Sequence, residues 1–169
     1  MSKSIVIYFS RGDEEYAVGV VHPGNTELLA KEIVKTTGAD EFKIVPTKPY
    51  PASYMDCIEL ATTERNQNAR PAYEGDVDLA GYDTIYLGYP IWWGDLPMIV
   101  YSFLEAHDLS GKTIIPFNTH EGSGNSGTYE TLKSKFPAAT FKGDGFNLSG
   151  TKARTPEGLA ELNRWLASL

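Results

Sequence analysis

The most uniform apolar run in the chain is Ile5-Val6-Ile7-Tyr8-Phe9, which breaks off at Ser10-Arg11-Gly12. Five apolar positions without alternation suit a strand buried on both faces of a parallel sheet, so this run is predicted as a central strand. Over residues 25–37 the period changes: Leu28, Leu29, Ile33 and Val34 fall on one helical stripe, and Gly38 stands where a left-handed residue would close the helix. A short second strand is predicted over residues 41–45, ended by Pro46, which cannot donate to a ladder. Residues 46–53 contain three prolines and read as a loop, after which Ser53 and Asp56 make a capping pair for a helix carrying Tyr54, Cys57, Ile58 and Ala61.

The alternation continues. Residues 82–89 are a third apolar run and end at Pro90-Ile91-Trp92-Trp93-Gly94. Pro97 opens a helix whose buried face is Ile99, Val100, Phe103 and Leu104, stopped by Ser110-Gly111. Residues 113–117 form strand four, followed by a loop over 118–127 dense in glycine, serine and threonine, and by a short helix presenting Tyr129, Leu132 and Phe136. Residues 140–148 supply a fifth strand, and Thr155-Pro156-Glu157 starts a last helix striped by Leu159, Leu162, Trp165 or Leu166, and Leu169. Five strand–helix units without repeats or linkers predict a single α/β domain over residues 1–169. It has three layers: a five-stranded parallel sheet with helices on both faces, joined by right-handed crossovers.

In such sheets ligands bind beyond the C-terminal ends of the strands. The loops richest in polar, glycine and aromatic residues follow strands one, three and four. In the strand order 2-1-3-4-5 those loops are neighbours and would make one site.

Composition changes this picture little, and charge narrows it. A hydrophobic fraction of 41% and a charged fraction of 22% are those of an ordinary globular protein. The formal net charge of −7 argues against nucleic acid or an anionic membrane as a partner, since either needs a basic face. The single cysteine, Cys57, has no internal disulfide partner and is read as packing within its helix. The start of the chain, Lys3 and then a short apolar stretch, does not have the form of a signal peptide, and no run approaches membrane-spanning length; a cytoplasmic location is expected. Cys-x-x-Cys, metal-spaced histidines and Gly-x-Ser-x-Gly are all missing from the sequence.

The candidate chemistry lies in the three loops. The hydroxyls of Ser10 and Thr26, the amide of Asn25, and the N–H groups and dipole of the helix that Gly24 introduces would together hold a phosphate without a buried lysine. Arg11 either adds a charge-assisted contact to that phosphate or is solvated beside Asp13-Glu14-Glu15. Trp92, Trp93 and Gly94, with Pro90 and Ile91, offer a flat apolar slot for a ring. Thr119, His120, Glu121, Gly122, Ser123 and Gly124 would present backbone N–H groups to the ring's polar edge. His120 is more readily structural than a proton-transfer group, and Glu121 either sits near the ring or faces water. Residues 122–127 also match Gly-x-Gly-x-x-Gly, but a dinucleotide fingerprint belongs on the first strand of its unit, so that match is set aside.

On these residues the chain resembles flavodoxin-like proteins over essentially its whole length. Ser10 fits the first hydroxyl of the family's Ser/Thr-x-Thr-Gly-Asn-Thr phosphate loop, and Gly24, Asn25 and Thr26 fit its last three positions. The resemblance implies the flavodoxin-like fold with order 2-1-3-4-5, known for the family with FMN at the crevice beside strand one. It also implies FMN as cofactor, with residues 90–94 and 119–124 holding the isoalloxazine ring. The departure is an insertion: residues 10–26 span 17 positions where the family motif spans six. Tyr16-Ala17-Val18-Gly19-Val20-Val21 within it is apolar enough to be expected as a flap packed beside the cofactor or, equally, as an oligomer contact or a cover over part of the sheet. The resemblance and the acidic charge imply an electron carrier docking with redox protein partners. Alternatives are an FMN-dependent NAD(P)H oxidoreductase reducing a quinone or similar acceptor, and an interaction domain that keeps the fold without the cofactor.

Overall fold

A computed structural model describes residues 3–15 and 17–169; Tyr16, part of the expected flap, and the side chain of Glu14 lie outside the described residues. In chain order the elements are β1 (Ser4–Tyr8), β2 (Asp13–Glu15), β3 (Gly19–Val21), α1 (Asn25–Thr37), β4 (Asp40–Lys43), α2 (Tyr54–Asn66) and β5 (Thr84–Pro90). They continue with α3 (Met98–Glu105), β6 (Thr113–His120), α4 (Thr128–Lys135), β7 (Thr140–Phe141), β8 (Phe146–Ser149), α5 (Gly150–Ala153) and α6 (Pro156–Ser168).

The main sheet is parallel throughout and runs β4-β1-β5-β6, with β7 and β8 both on the outer side of β6. That is the expected order 2-1-3-4-5, with the fifth strand in two pieces. The continuous run of β1 has the expected cause. Ile5, Ile7 and Phe9 point into one core with Ile85, Leu87, Ile99, Phe103 and Leu132, while Val6 and Tyr8 point into the other with Leu29, Ile33, Phe117 and Leu162. Helix α1 lays Leu29, Ala30 and Ile33 on the second face and closes at Gly38, φ 72°, whose N–H donates to the Val34 carbonyl at 2.9 Å. Ser53 Oγ accepts the Asp56 N–H at the start of α2, and Thr155 Oγ1 accepts that of Gly158 at the start of α6, as their sequence signatures predict.

Three expectations are corrected. Strand four runs on to His120, because Asn118, Thr119 and His120 find partners in β8, so Thr119 and His120 belong to a strand end and not to a loop. The fifth strand is not continuous over residues 140–148: residues 142–145 leave the ladder through Gly143 (φ 70°) and Gly145 (φ 74°). Pro116 has no N–H to offer; two residues beyond Ile114, whose carbonyl accepts from Lys142, it faces that break. The insertion after β1 is not an apolar flap. Among its described residues it forms a small antiparallel sheet, β2 with β3, and Val20 stands 71% exposed. No helix among the described residues is long and apolar enough to cross a membrane.

Candidate functional site

Where β1 ends, the chain turns into the insertion and returns at Gly24, the residue that introduces α1. Ser10 Oγ accepts the backbone N–H of Glu27 at 3.0 Å, so a side chain from before the insertion caps the helix after it. Close approach requires glycine at position 24: a β-carbon there would lie 2.2 Å from the Arg11 carbonyl oxygen and 2.6 Å from Ser10 Oγ. Thr26 and Thr119, both buried, share a hydrogen bond of 2.7 Å between their hydroxyls, which joins the start of α1 to the end of β6. Ser10, Asn25, Thr26 and Thr119 thus line a recess of about 20 Å³ at the N-terminus of α1, together with the ion-paired Arg11 and Glu15; its hydroxyls, amide and helix end are suited to an anion.

This recess shares Arg11, Glu15, Asn25, Pro90, Trp92 and Thr119 with a larger cleft of about 250 Å³, walled by residues 90–93 after β5 and by residues 119–121 at the end of β6. The third wall is α2, through Tyr54, Cys57, Ile58 and Ala61. The loops after strands one, three and four therefore meet at one site, as the strand order predicts.

Arg11 lines both the recess and the cleft and is not the solvated residue that was one of the two roles weighed for it from sequence. It is 8% exposed, and its guanidinium donates to Glu15 at 2.8 Å and to the carbonyls of Pro51 and Ala52 at 2.7 and 2.8 Å. It ties the insertion to the proline-rich loop before α2. Burial pushes the Glu15 carboxyl up to about 7 against the opposing pull of Arg11, so desolvation outweighs the ion pair at this position. Burial likewise raises the Cys57 thiol to about 11, partly offset by Arg11. Cys57 is accordingly a neutral wall residue and not a nucleophile.

The two tryptophans divide their work. Trp92 packs edge-on against Phe9 and Tyr50, with centroids 5.3 and 5.0 Å away. Trp93 stands 53% exposed at the mouth of the cleft. The turn between them and Asp95 closes with Trp92 N–H to the Asp95 carbonyl at 2.9 Å and the reciprocal bond at 3.1 Å. Its central residues, Trp93 at φ 55° and Gly94 at φ 70°, are both left-handed, which makes this a type I′ hairpin turn.

At the end of β6, His120 Nδ1 accepts the Gly122 N–H at 2.8 Å, so its Nε2 is the donor to Asn147 Oδ1 at 3.1 Å. Both ring nitrogens are engaged in shaping the loop. Glu121 accepts the N–H of Thr151 at 2.9 Å, bonding the β6 end to α5. Of the sixteen residues singled out from sequence, Ser10, Arg11, Asn25, Thr26, Pro90, Ile91, Trp92, Trp93, Thr119, His120 and Glu121 line the recess or the cleft. Gly24 and Gly94 shape its turns, whereas Gly122, Ser123 and Gly124 do not line it; the Gly124 carbonyl instead accepts from Asn118 at 3.0 Å. Glu15 and the α2 wall were missed as site residues. The stripe of Tyr54, Cys57, Ile58 and Ala61 is visible in the sequence, but a stripe of that kind does not say whether it faces a core or a cleft.

A family model described as flavodoxin matches residues 4–168. No curated protein matches the chain. Among solved structures, one from Bacteroides uniformis described as a candidate flavoprotein is 30% identical, covers 98% of both chains and superposes with a TM-score of 0.78. A second, from Bacteroides eggerthii and described in the same terms, is 28% identical over 99% of this chain and 98% of that one, with a TM-score of 0.77. A flavoprotein from Lactobacillus acidophilus solved in complex with FMN shares the fold at 16% identity, with coverage of 98% and 99% and a TM-score of 0.69.

Proposed function

The chain belongs to the flavodoxin family, and from that premise we propose that it binds FMN non-covalently and acts as an electron-transfer flavoprotein of the cytoplasm. The observation that carries this reading is the junction of an anion recess at the N-terminus of α1 with an aromatic-walled cleft, both at the C-terminal ends of β1, β5 and β6. Ser10, Asn25, Thr26 and Thr119 would hold the phosphate together with the first turn of α1. The close passage of Gly24 keeps that turn narrow. Pro90, Ile91 and Trp92 would line the ring, the exposed Trp93 would border it at the cleft mouth, and His120 and Glu121 would border its polar edge. When bound, FMN supplies one- and two-electron redox chemistry. The protein orients it, screens it from water on the α2 side, and leaves the Trp93 side accessible to a redox partner protein.

A second reading, an NAD(P)H oxidoreductase with a quinone-like acceptor, draws on the apolar α2 wall, which could bound a place for a planar substrate. A visible spectrum of the purified protein with added FMN, followed anaerobically, separates the readings. Flavin bands that resist NADH and NADPH and bleach with dithionite are expected for an electron carrier. Bleaching by pyridine nucleotide would establish the oxidoreductase, and failure to bind FMN would overturn both in favour of a cofactor-free interaction domain.

A further inference from the structure

Arg154 follows α5, far from the phosphate loop in sequence, yet its guanidinium grips that loop. Nε donates to Asn25 Oδ1 at 2.9 Å and Nη2 to the Pro23 carbonyl at 2.5 Å. These two acceptors flank Gly24, where the chain passes closest to Ser10 and Arg11. Because a guanidinium only donates, its bond to Oδ1 fixes the sense of the Asn25 amide and turns Nδ2 toward Gly150. Gly150 leaves room for nothing else: a β-carbon there would lie 2.1 Å from Asn25 Nδ2 and 2.6 Å from Glu121 Oε1. Asn25, which lines both recess and cleft, is thus clamped between Arg154 and α5.

The charge of Arg154 is also spent differently from that of Arg11. Arg11 is paired with Glu15 at 2.8 Å, whereas Arg154 donates to two neutral oxygens, Asn25 Oδ1 and the Pro23 carbonyl. Partial burial holds its pKa below the ordinary arginine value, with Glu15 opposing that fall only through space. In a chain of net charge −7 that carries Glu27 in the first turn of α1, a cation near the recess adds to what neutral donors and the helix dipole give a dianion, and Arg154, bonded to Asn25 of the recess lining, is placed to add it.

We propose that Arg154 is the positioning residue for the cofactor phosphate: it fixes the Pro23–Asn25 turn and sets a positive charge beside the recess, so that the chain selects FMN over unphosphorylated riboflavin. This rests on the FMN reading above. The test is to titrate the wild-type chain, Arg154→Ala and Arg154→Lys with FMN and with riboflavin by flavin fluorescence at low and high salt, after circular dichroism melts show which proteins are folded. Arg154→Ala is expected to weaken FMN by about tenfold or more while riboflavin changes by less than about twofold, with the gap narrowing as salt screens the charge. Arg154→Lys keeps the charge but not the fork, and falls between; it decides the matter in the same way if the alanine variant does not fold. Unchanged FMN affinity, or equal losses for both flavins, overturns the proposal in favour of a purely structural role. A wild-type chain that binds riboflavin as tightly as FMN overturns it while leaving the flavin reading intact; one that binds neither removes that reading and the proposal with it.

Discussion

Trp93 holds a backbone conformation, φ 55°, that a bulky side chain adopts only at a cost of about 1–2 kcal/mol. Nothing it buries explains this, since half its surface is open. A type I′ turn favours asparagine at that position, so Trp93→Asn is expected to stabilise the flavin-free chain by about 1 kcal/mol, or about 2–4 °C in melting temperature, while weakening flavin binding. A melt paired with a flavin titration checks both signs. Single residues also show where sequence reading stops. That Ser10, Asn25 and Thr26 come together at one recess was legible because a strand end and the helix start it leads to are neighbours in any such unit. Arg11 and Arg154 were not, because their partners lie in residues 51–53 and 23–25, and only the folded chain brings these together.

Among the elements, existence and type were largely legible and ends were not. The stretch of β6 from Asn118 to His120 is polar and reads as a loop until β8 is present to pair with it. Helix α5, four residues long, carries too little pattern to be seen at all. Of the β2–β3 pair, β2 is wholly acidic and β3 lies in the apolar half of the insertion, where Val20 is nonetheless turned outward. The glycine of β5 has a packing cause that the sequence does not advertise: a β-carbon on Gly88 would lie 2.2 Å from the Phe117 ring. Gly88→Ala is therefore expected to destabilise the fold by about 1–3 kcal/mol through overpacking, read as a lower denaturation midpoint with an unchanged slope. If the midpoint stays put, the β5–β6 core is looser than these distances require.

For the whole molecule, the excess of acidic groups makes stability a function of pH, and Glu15 contributes with a sign opposite to that of a paired surface carboxylate. Its folded-state value, about 7, lies above the ordinary 4.5, so the fold prefers it protonated. Its contribution is full below 4.5 and is lost as pH rises through 7. Glu15→Gln keeps the neutral form at every pH and should gain on the wild type by up to about 3 kcal/mol across that interval, seen in urea midpoints at about pH 4.5 and pH 8. A gap that does not widen with pH would show that the Arg11 pair outweighs burial after all. The outer margin of the sheet has a different consequence. Residues 142–144 are exposed, lie between two short pairings with β6, and face a proline with no donor to satisfy. That is a seam at which the gene could lengthen without altering any strand register, so a tag, an epitope or a whole guest domain could be spliced there at the far side of the sheet from α2.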